Sequence, residues 1–181
     1  MMKNKPFSFT STTNTPLGKV FLASDGEHLT GLWFENQKYF PPSILQIEKS
    51  SDLDVFKKTN QWLELYFGGN NPDFTPPLRP EGTAFRQKVW EILLGIPYGE
   101  VITYGDIAKK LKVNSAQAVG GAVGHNPISV IIPCHRVVGA SGDLTGFAGG
   151  LDKKVWLLKN EGVTLPSDKN VEKCWKCFDV S

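Results

Sequence analysis

Apolar positions change their spacing several times along this chain, and each change marks an element. Segments 17–24 (Leu17-Gly18-Lys19-Val20-Phe21-Leu22-Ala23-Ser24) and 29–34 (Leu29-Thr30-Gly31-Leu32-Trp33-Phe34) read as two strands, with the turn dipeptide Asp25-Gly26 between them. From about 54 to 67 the spacing becomes helical: Val55, Thr59, Trp62, Leu63 and Tyr66 share one face, and Gly68-Gly69 stops the run. Residues 72–80 then hold four prolines in nine positions. Proline stiffens a connector and propagates neither helix nor central strand. The chain therefore divides into an amino-terminal α/β domain at 1–75, a proline-rich linker at 76–82, a second domain at 83–165 and a tail at 166–181.

The second half is predominantly helical. Phe85, Val89, Ile92 and Leu93 predict a helix over about 84–94, closed by Gly95. Thr103, with Asp106 three residues on, has the form of a helix N-cap for a short segment reaching Leu111. Another short segment runs from about Ser115 to Gly124. Two short helices across a tight polar turn have the shape of a helix-turn-helix. The apolar run Val130-Ile131-Ile132 predicts a buried strand, and a last helix covers about 153–160, ahead of Glu161 and Gly162. The fold class expected is α+β: a small sheet-plus-helix domain, then a mostly helical one.

Charge changes this picture only slightly. The net charge of +2 resides in residues 80–165, since residues 1–79 carry equal numbers of acidic and basic side chains. Lys109, Lys110 and Lys112 form the one tight basic cluster, compatible with nucleic acid or with a solvated helix face. Apolar runs fall far short of the ~20 residues of a membrane span. The start, Met1-Met2-Lys3-Asn4-Lys5-Pro6, has no apolar stretch behind it, and three cysteines make an odd set. A soluble, cytoplasmic chain in a reducing compartment is expected, without a disulfide framework.

The chemistry concentrates at Pro133-Cys134-His135-Arg136-Val137. A thiol ionises near ~8.5, and neighbouring imidazolium or guanidinium groups lower that value. The thiolate is a soft nucleophile needing little further activation. Upstream, Gly120-Gly121 sits inside a helical pattern, where each glycine costs ~1 kcal/mol relative to alanine. Either another helix or a ligand must approach that backbone closely. Asn126, ahead of Pro127, is placed to bridge backbone groups across a turn. Downstream, Gly139–Gly142 and Thr145–Gly150 form a glycine-rich loop lacking the phosphate-cradle pattern, with Phe147 as an apolar wall. Glu161 stands at a helix carboxyl end, which disfavours negative charge. Surface placement or the orienting of an imidazole would explain it.

Taken together these residues resemble the O6-alkylguanine-DNA alkyltransferases. The likeness runs over roughly 80–165 through Phe85-Arg86-Gln87-Lys88-Val89-Trp90, Val101-Ile102-Thr103-Tyr104, Ala118-Val119-Gly120, Asn126-Pro127, Ile132-Pro133-Cys134-His135-Arg136-Val137-Val138, Gly149-Gly150-Leu151 and Lys154–Gly162. The resemblance implies a ribonuclease H-like first domain and a winged helix-turn-helix second domain. It implies a monomer that binds double-stranded DNA, flips O6-alkylguanine out of the stack and transfers the alkyl group irreversibly to Cys134, with O4-alkylthymine as a second candidate lesion. His135 would take the thiol proton through a water, held by Glu161, and Tyr104 would donate to the purine ring. Asn126 would brace the loop. Backbone groups of Cys134, Val137 and Ala148, with Phe147 and Val123, would line the guanine. Gln117, Ala118, Gly120, Thr103 and Arg136 would face DNA. No metal or organic cofactor is implied.

Three departures stand out. Gln117 occupies the place where the family usually has an arginine inserted into the duplex, and Phe147 that of a common tyrosine. The first half holds His28 and no cysteine, so the metal ligands some members carry there are not evident. Cys174-Trp175-Lys176-Cys177 supplies two ligands where structural zinc needs four, and an unstructured tail is expected. A damage sensor that binds without transferring is the first rival reading, but such relatives commonly replace the cysteine with tryptophan. A cysteine hydrolase is the second, and it leaves the helix-turn-helix without a role. Glutamine brings neither charge nor guanidinium stacking. Gln117→Arg is therefore expected to tighten duplex binding or speed repair by about two- to fivefold, the ~0.5–1 kcal/mol of a cation over a base face. Titration of labelled duplex and single-turnover rates check it, and unchanged values in both refute it.

Overall fold

The computed structural model describes residues 5–165. Three antiparallel strands open the chain: β1 (Phe9–Thr15), β2 (Gly18–Ser24) and β3 (Leu29–Phe34), in that spatial order. The second and third are the expected strands. The first, Phe-Thr-Ser-Thr-Thr-Asn-Thr, is absent from the apolar pattern because its β-branched threonines are polar, yet they pair residue for residue with β2 from Phe9↔Ser24 to Thr15↔Gly18. Helix α1 (Asp54–Phe67) packs on this sheet through Val55, Phe56, Trp62, Leu63 and Tyr66.

The proline-rich connector is pinned to the sheet. Leu29 N donates to Pro77 O at 2.7 Å and Arg79 N to Leu29 O at 2.9 Å, so the connector extends the edge of β3. Arg79 also reaches the buried Asp25 carboxylate at 3.0 Å. A second bridge joins β3 to the far half: Leu32 N donates to Pro127 O and Ser129 N to Leu32 O. One continuous apolar core consequently runs from Leu22 and Phe56 to Trp90, Val119 and Ile132.

In the second half, α2 (Ala84–Leu94) is capped by Thr83 and anchors α4 (Ala116–Gly124) through Trp90 Nε1 to Ala122 O at 2.9 Å. Helix α3 (Tyr104–Leu111) begins with the expected capping box of Thr103 and Asp106. Lys112 turns the chain at φ 55°, and Ser115 caps α4. The short strands β4 (Ile102–Thr103) and β5 (Val137–Val138) pair in parallel beside them, and α5 (Leu151–Asn160) closes the domain. The result is the α+β arrangement expected. The Cys174–Cys177 tail lies outside the described residues.

One element departs from expectation. Val130-Ile131-Ile132 is not a strand but a sequence of tight turns. Ile131 N donates to Ser129 O at 2.8 Å across Val130, whose φ is 70°, and Cys134 N donates to Ile132 O at 2.8 Å across Pro133 at φ −81°, ψ 65°. The second is an inverse γ-turn, which proline's fixed φ favours; the first forces a β-branched residue into the left-handed region. Buried Asn126 makes this tolerable: its amide accepts from Ile128 N at 3.0 Å and donates to Ile132 O at 2.8 Å. Side-chain bonds thus replace the ladder a strand would need. Asn126→Ala leaves Ile128 N buried and unpaired and takes from Ile132 O the second of its two donors, and it is expected to cost roughly 1–3 kcal/mol, read as a lowered urea midpoint. A loss under ~1 kcal/mol would refute this account.

Candidate active site

Those turns deliver Cys134 to the first position of a single 3-10 turn, Cys134–Arg136, with only 5% of the cysteine exposed. Burial pushes its thiol pKa up, opposed by the Asn126 amide and by the charge of Lys154. His135 is fully buried. Its Nε2 lies 2.5 Å from Glu161 Oε2, so Nε2 carries the proton and donates to the carboxylate. Burial holds the imidazole below its ordinary pKa, against the pull of Glu161, which keeps the ring neutral. The other nitrogen, Nδ1, is buried and meets no protein partner among the described residues. A neutral ring with Nδ1 unprotonated is a general base.

Glu161 does not sit on the surface. Its Oε2 accepts from Tyr66 Oη at 2.7 Å, and its Oε1 from Arg136 Nε at 2.7 Å and Gly99 N at 2.9 Å. Burial alone would raise its pKa, but these bonds and His135 hold it down at about 2. Arg136 also donates to Ile96 O at 2.7 Å and lies over the Tyr98 ring. Arg136 is therefore committed inward and is not the DNA contact expected of it; a buried carboxylate with four donors claims its charge first.

A cavity of ≈ 260 Å³ opens beside Cys134. Tyr104, Val123, Phe147 and Ala148 line it as expected, together with Gly120 and Gly121. Tyr104 Oη donates to Thr145 O at 3.0 Å, and burial raises its pKa, so it stays a protonated donor. A side chain at Gly121 would meet nothing within 4 Å, and one at Gly120 only the Tyr104 ring at 4.0 Å. No helix crowds this pair; the glycines keep space open for a ligand. Val137 is not among the residues that line this cavity: its side chain is fully buried, and its carbonyl accepts Lys154 Nζ at 2.6 Å.

A wider groove of ≈ 660 Å³ shares Tyr104, Gly120, Gly121 and Gly146 with the cavity and runs out to Gln117. Gln117 and Ala118 are exposed, while the Thr103 hydroxyl is spent on capping α3. Among the described residues no cluster of His, Cys, Asp and Glu could hold a metal, and no helix is long and apolar enough to cross a membrane.

These arrangements can be set beside known proteins. The model for the 6-O-methylguanine DNA methyltransferase DNA-binding domain matches residues 84–163, and that for its ribonuclease-like domain residues 9–80. A methylated-DNA–protein-cysteine methyltransferase of Haemophilus influenzae is 46% identical over 151 residues, 82% of this chain and 83% of its own length. The chain belongs to the 6-O-methylguanine DNA methyltransferase family. A second methyltransferase of that name, from Methanosarcina acetivorans, is 45% identical over 82% of this chain and 94% of its own. In the crystal structure of Mycobacterium tuberculosis OGT in complex with DNA, a chain 42% identical superposes with a TM-score of 0.77, over 84% of this chain and 92% of that one.

Three residues escaped the sequence reading. Tyr66 looked like one more member of an apolar stripe, and its hydroxyl carries no signal in sequence. Lys154 had a signal: with Leu157, Leu158 and Glu161 it falls on one face of α5, where a lysine is out of place. It is fully buried, donates also to Thr145 O and Gly146 O, and burial brings its pKa down to about 8. Tyr39, from the first domain, lines the cavity. For Glu161, whose folded pKa lies below its ordinary 4.5, the stability contribution is full above that value and is lost as pH falls toward about 2. Glu161→Gln is expected to cost roughly 3–5 kcal/mol at neutral pH and to flatten the acid limb of the stability curve. Urea melts across pH read both, and an unchanged acid limb would refute the assignment.

Proposed function

We propose that this protein repairs duplex DNA by transferring the alkyl group of O6-alkylguanine to its own Cys134, once per molecule. The observation carrying this reading is a buried cysteine on the wall of a cavity that shares a glycine-lined side with a groove along a helix-turn-helix. A base inside the stack is out of reach, so the nucleotide turns out and enters past Gly120 and Gly121. The thiol proton passes through a bridging water to His135 Nδ1, and Glu161 stabilises the imidazolium through Nε2. The sulfur forms a bond to the alkyl carbon as the carbon–O6 bond breaks, and its electron pair spreads into the purine. Tyr104 donates its hydroxyl proton or hydrogen bond to the ring, so guanine leaves close to neutral. The balance closes when the imidazolium's proton returns through water to replace the one Tyr104 gave. The net transfer is then one proton from thiol to guanine, both side chains are restored and the thioether remains. Displacement at carbon rewards a polarisable sulfur, and the thioether is too stable to turn over. A protein of this kind works wherever the cell keeps its DNA. O4-alkylthymine would enter the same cavity, with the smaller ring making fewer wall contacts.

The test is intact mass after incubation with a duplex oligonucleotide containing O6-methylguanine. One added methyl group per chain, lost in Cys134→Ala, is expected. Lesion-selective binding with no mass change would overturn transfer in favour of a damage sensor.

A further inference from the structure

The cavity has two ends, and the proposed reaction uses only one. Tyr104, Gly120, Gly121 and Gly146 face both the cavity and the groove, so the base enters there. Lys38, Tyr39, Val123 and Gly124 line the cavity but not the groove. Cys134, Phe147 and Ala148 share that property, so these four stand on the side of the cavity that carries the nucleophile, where whatever the alkyl carbon bears must go. Two of these four come from the first domain, in the loop after β3.

That loop is held tightly. The buried Gln37 side chain accepts from Phe34 N at 3.1 Å and from Ser129 Oγ at 3.0 Å, tying the loop to the turns that deliver Cys134. Lys38 N donates to Ala148 O at 3.0 Å, tying it to the opposite wall. On either side of these anchors, Tyr39 sits at φ 65° and Asn36 at φ 62°. A bulky side chain in left-handed backbone persists only where its surroundings over-determine it. Tyr39 nevertheless leaves 51% of its surface exposed, so core packing does not explain the strain. Its ring lies flat on the His125 imidazole, with centroids 3.8 Å apart and planes at 21°. His125 is fixed in turn by a hydrogen bond of 2.7 Å between Nδ1 and Gly121 O.

We infer that the Tyr39–His125 stack, built from opposite halves of the chain, closes the far end of the cavity and sets the largest alkyl group that Cys134 accepts. This rests on the alkyl-transfer reading. Size supports it: ≈ 260 Å³ lies just under the roughly 300–1,000 Å³ of ordinary ligand pockets. A purine with a methyl or ethyl group leaves little room, and a benzyl group must displace the tyrosine ring. Tyr39 is then a specificity-determining residue.

The experiment compares transfer from two duplexes of one sequence, carrying O6-methylguanine or O6-benzylguanine, as single-turnover rates. Because both share one DNA, the benzyl-to-methyl ratio cancels differences in DNA affinity. Tyr39→Ala is expected to raise that ratio by roughly tenfold or more, and Tyr39→Phe, which keeps the ring, to hold it within about twofold of wild type. An unmoved or lowered ratio in Tyr39→Ala overturns the gate. If that variant fails to fold, His125→Ala removes the platform instead and is judged by the same ratio. A wild-type chain that takes up no methyl group overturns the transfer reading itself, whereas a methylated wild type with an unmoved ratio overturns the gate alone.

Discussion

The buried carboxylate of Glu161 is the constraint on which the rest of the site depends. An isolated carboxylate in an apolar interior costs several kcal/mol, and the cost is removed only by filling its acceptor positions. Three elements supply its four donors: Tyr66 from α1, the Gly99 amide from the loop before β4, and Arg136 and His135 from the 3-10 turn. Satisfying one charge therefore fixes the first domain, the helical domain and the nucleophile's own turn against one another. The imidazole's orientation follows from this, because Nε2 meets the carboxylate, which leaves Nδ1 as the nitrogen without a protein partner among the described residues.

The turns before Cys134 depend on a second polar centre. Without the Asn126 amide, Ile128 N would be buried and unpaired and Ile132 O would keep only Cys134 N, so nothing would hold Val130 at φ 70°. The same asparagine also reaches the cysteine, so the group that bears the backbone strain opposes the rise that burial gives the thiol's pKa. Strain of this kind is found where surrounding structure forces it, commonly beside reactive groups.

This explains what sequence could and could not reveal. Helices α1 to α4 were legible because each carries an apolar stripe and a stop or cap, such as Gly95 or the Thr103–Asp106 box. The nucleophile was legible through its motif, and Asn126 through its place before proline. The Val130–Ile132 run misled because β-branched apolar residues favour strands, and only long-range bonds from Asn126 reverse that preference. Arg136, which the resemblance places toward DNA, turns inward because its partner Glu161 is 25 positions away, beyond any local pattern. Tyr66 and Tyr39 acquire their roles from contacts across the two halves, and no local pattern encodes such contacts.

Taken alone, burial of the thiol works against catalysis, since it raises the pKa of the nucleophile. For a protein that reacts once, the opposite holds. An exposed, ionised thiolate is open to oxidation and to stray electrophiles, and either event would consume the molecule. Keeping Cys134 protonated until a ligand fills the cavity makes proton removal part of the reaction itself. Lys154 fits the same logic. Its ammonium is destabilised by burial, to about 8, and becomes more favourable as negative charge develops on Cys134. It therefore favours the thiolate over the resting thiol, opposing the effect of burial. The neutral thiol, the neutral imidazole and the weakened lysine form one arrangement, reactive only when its proton has somewhere to go.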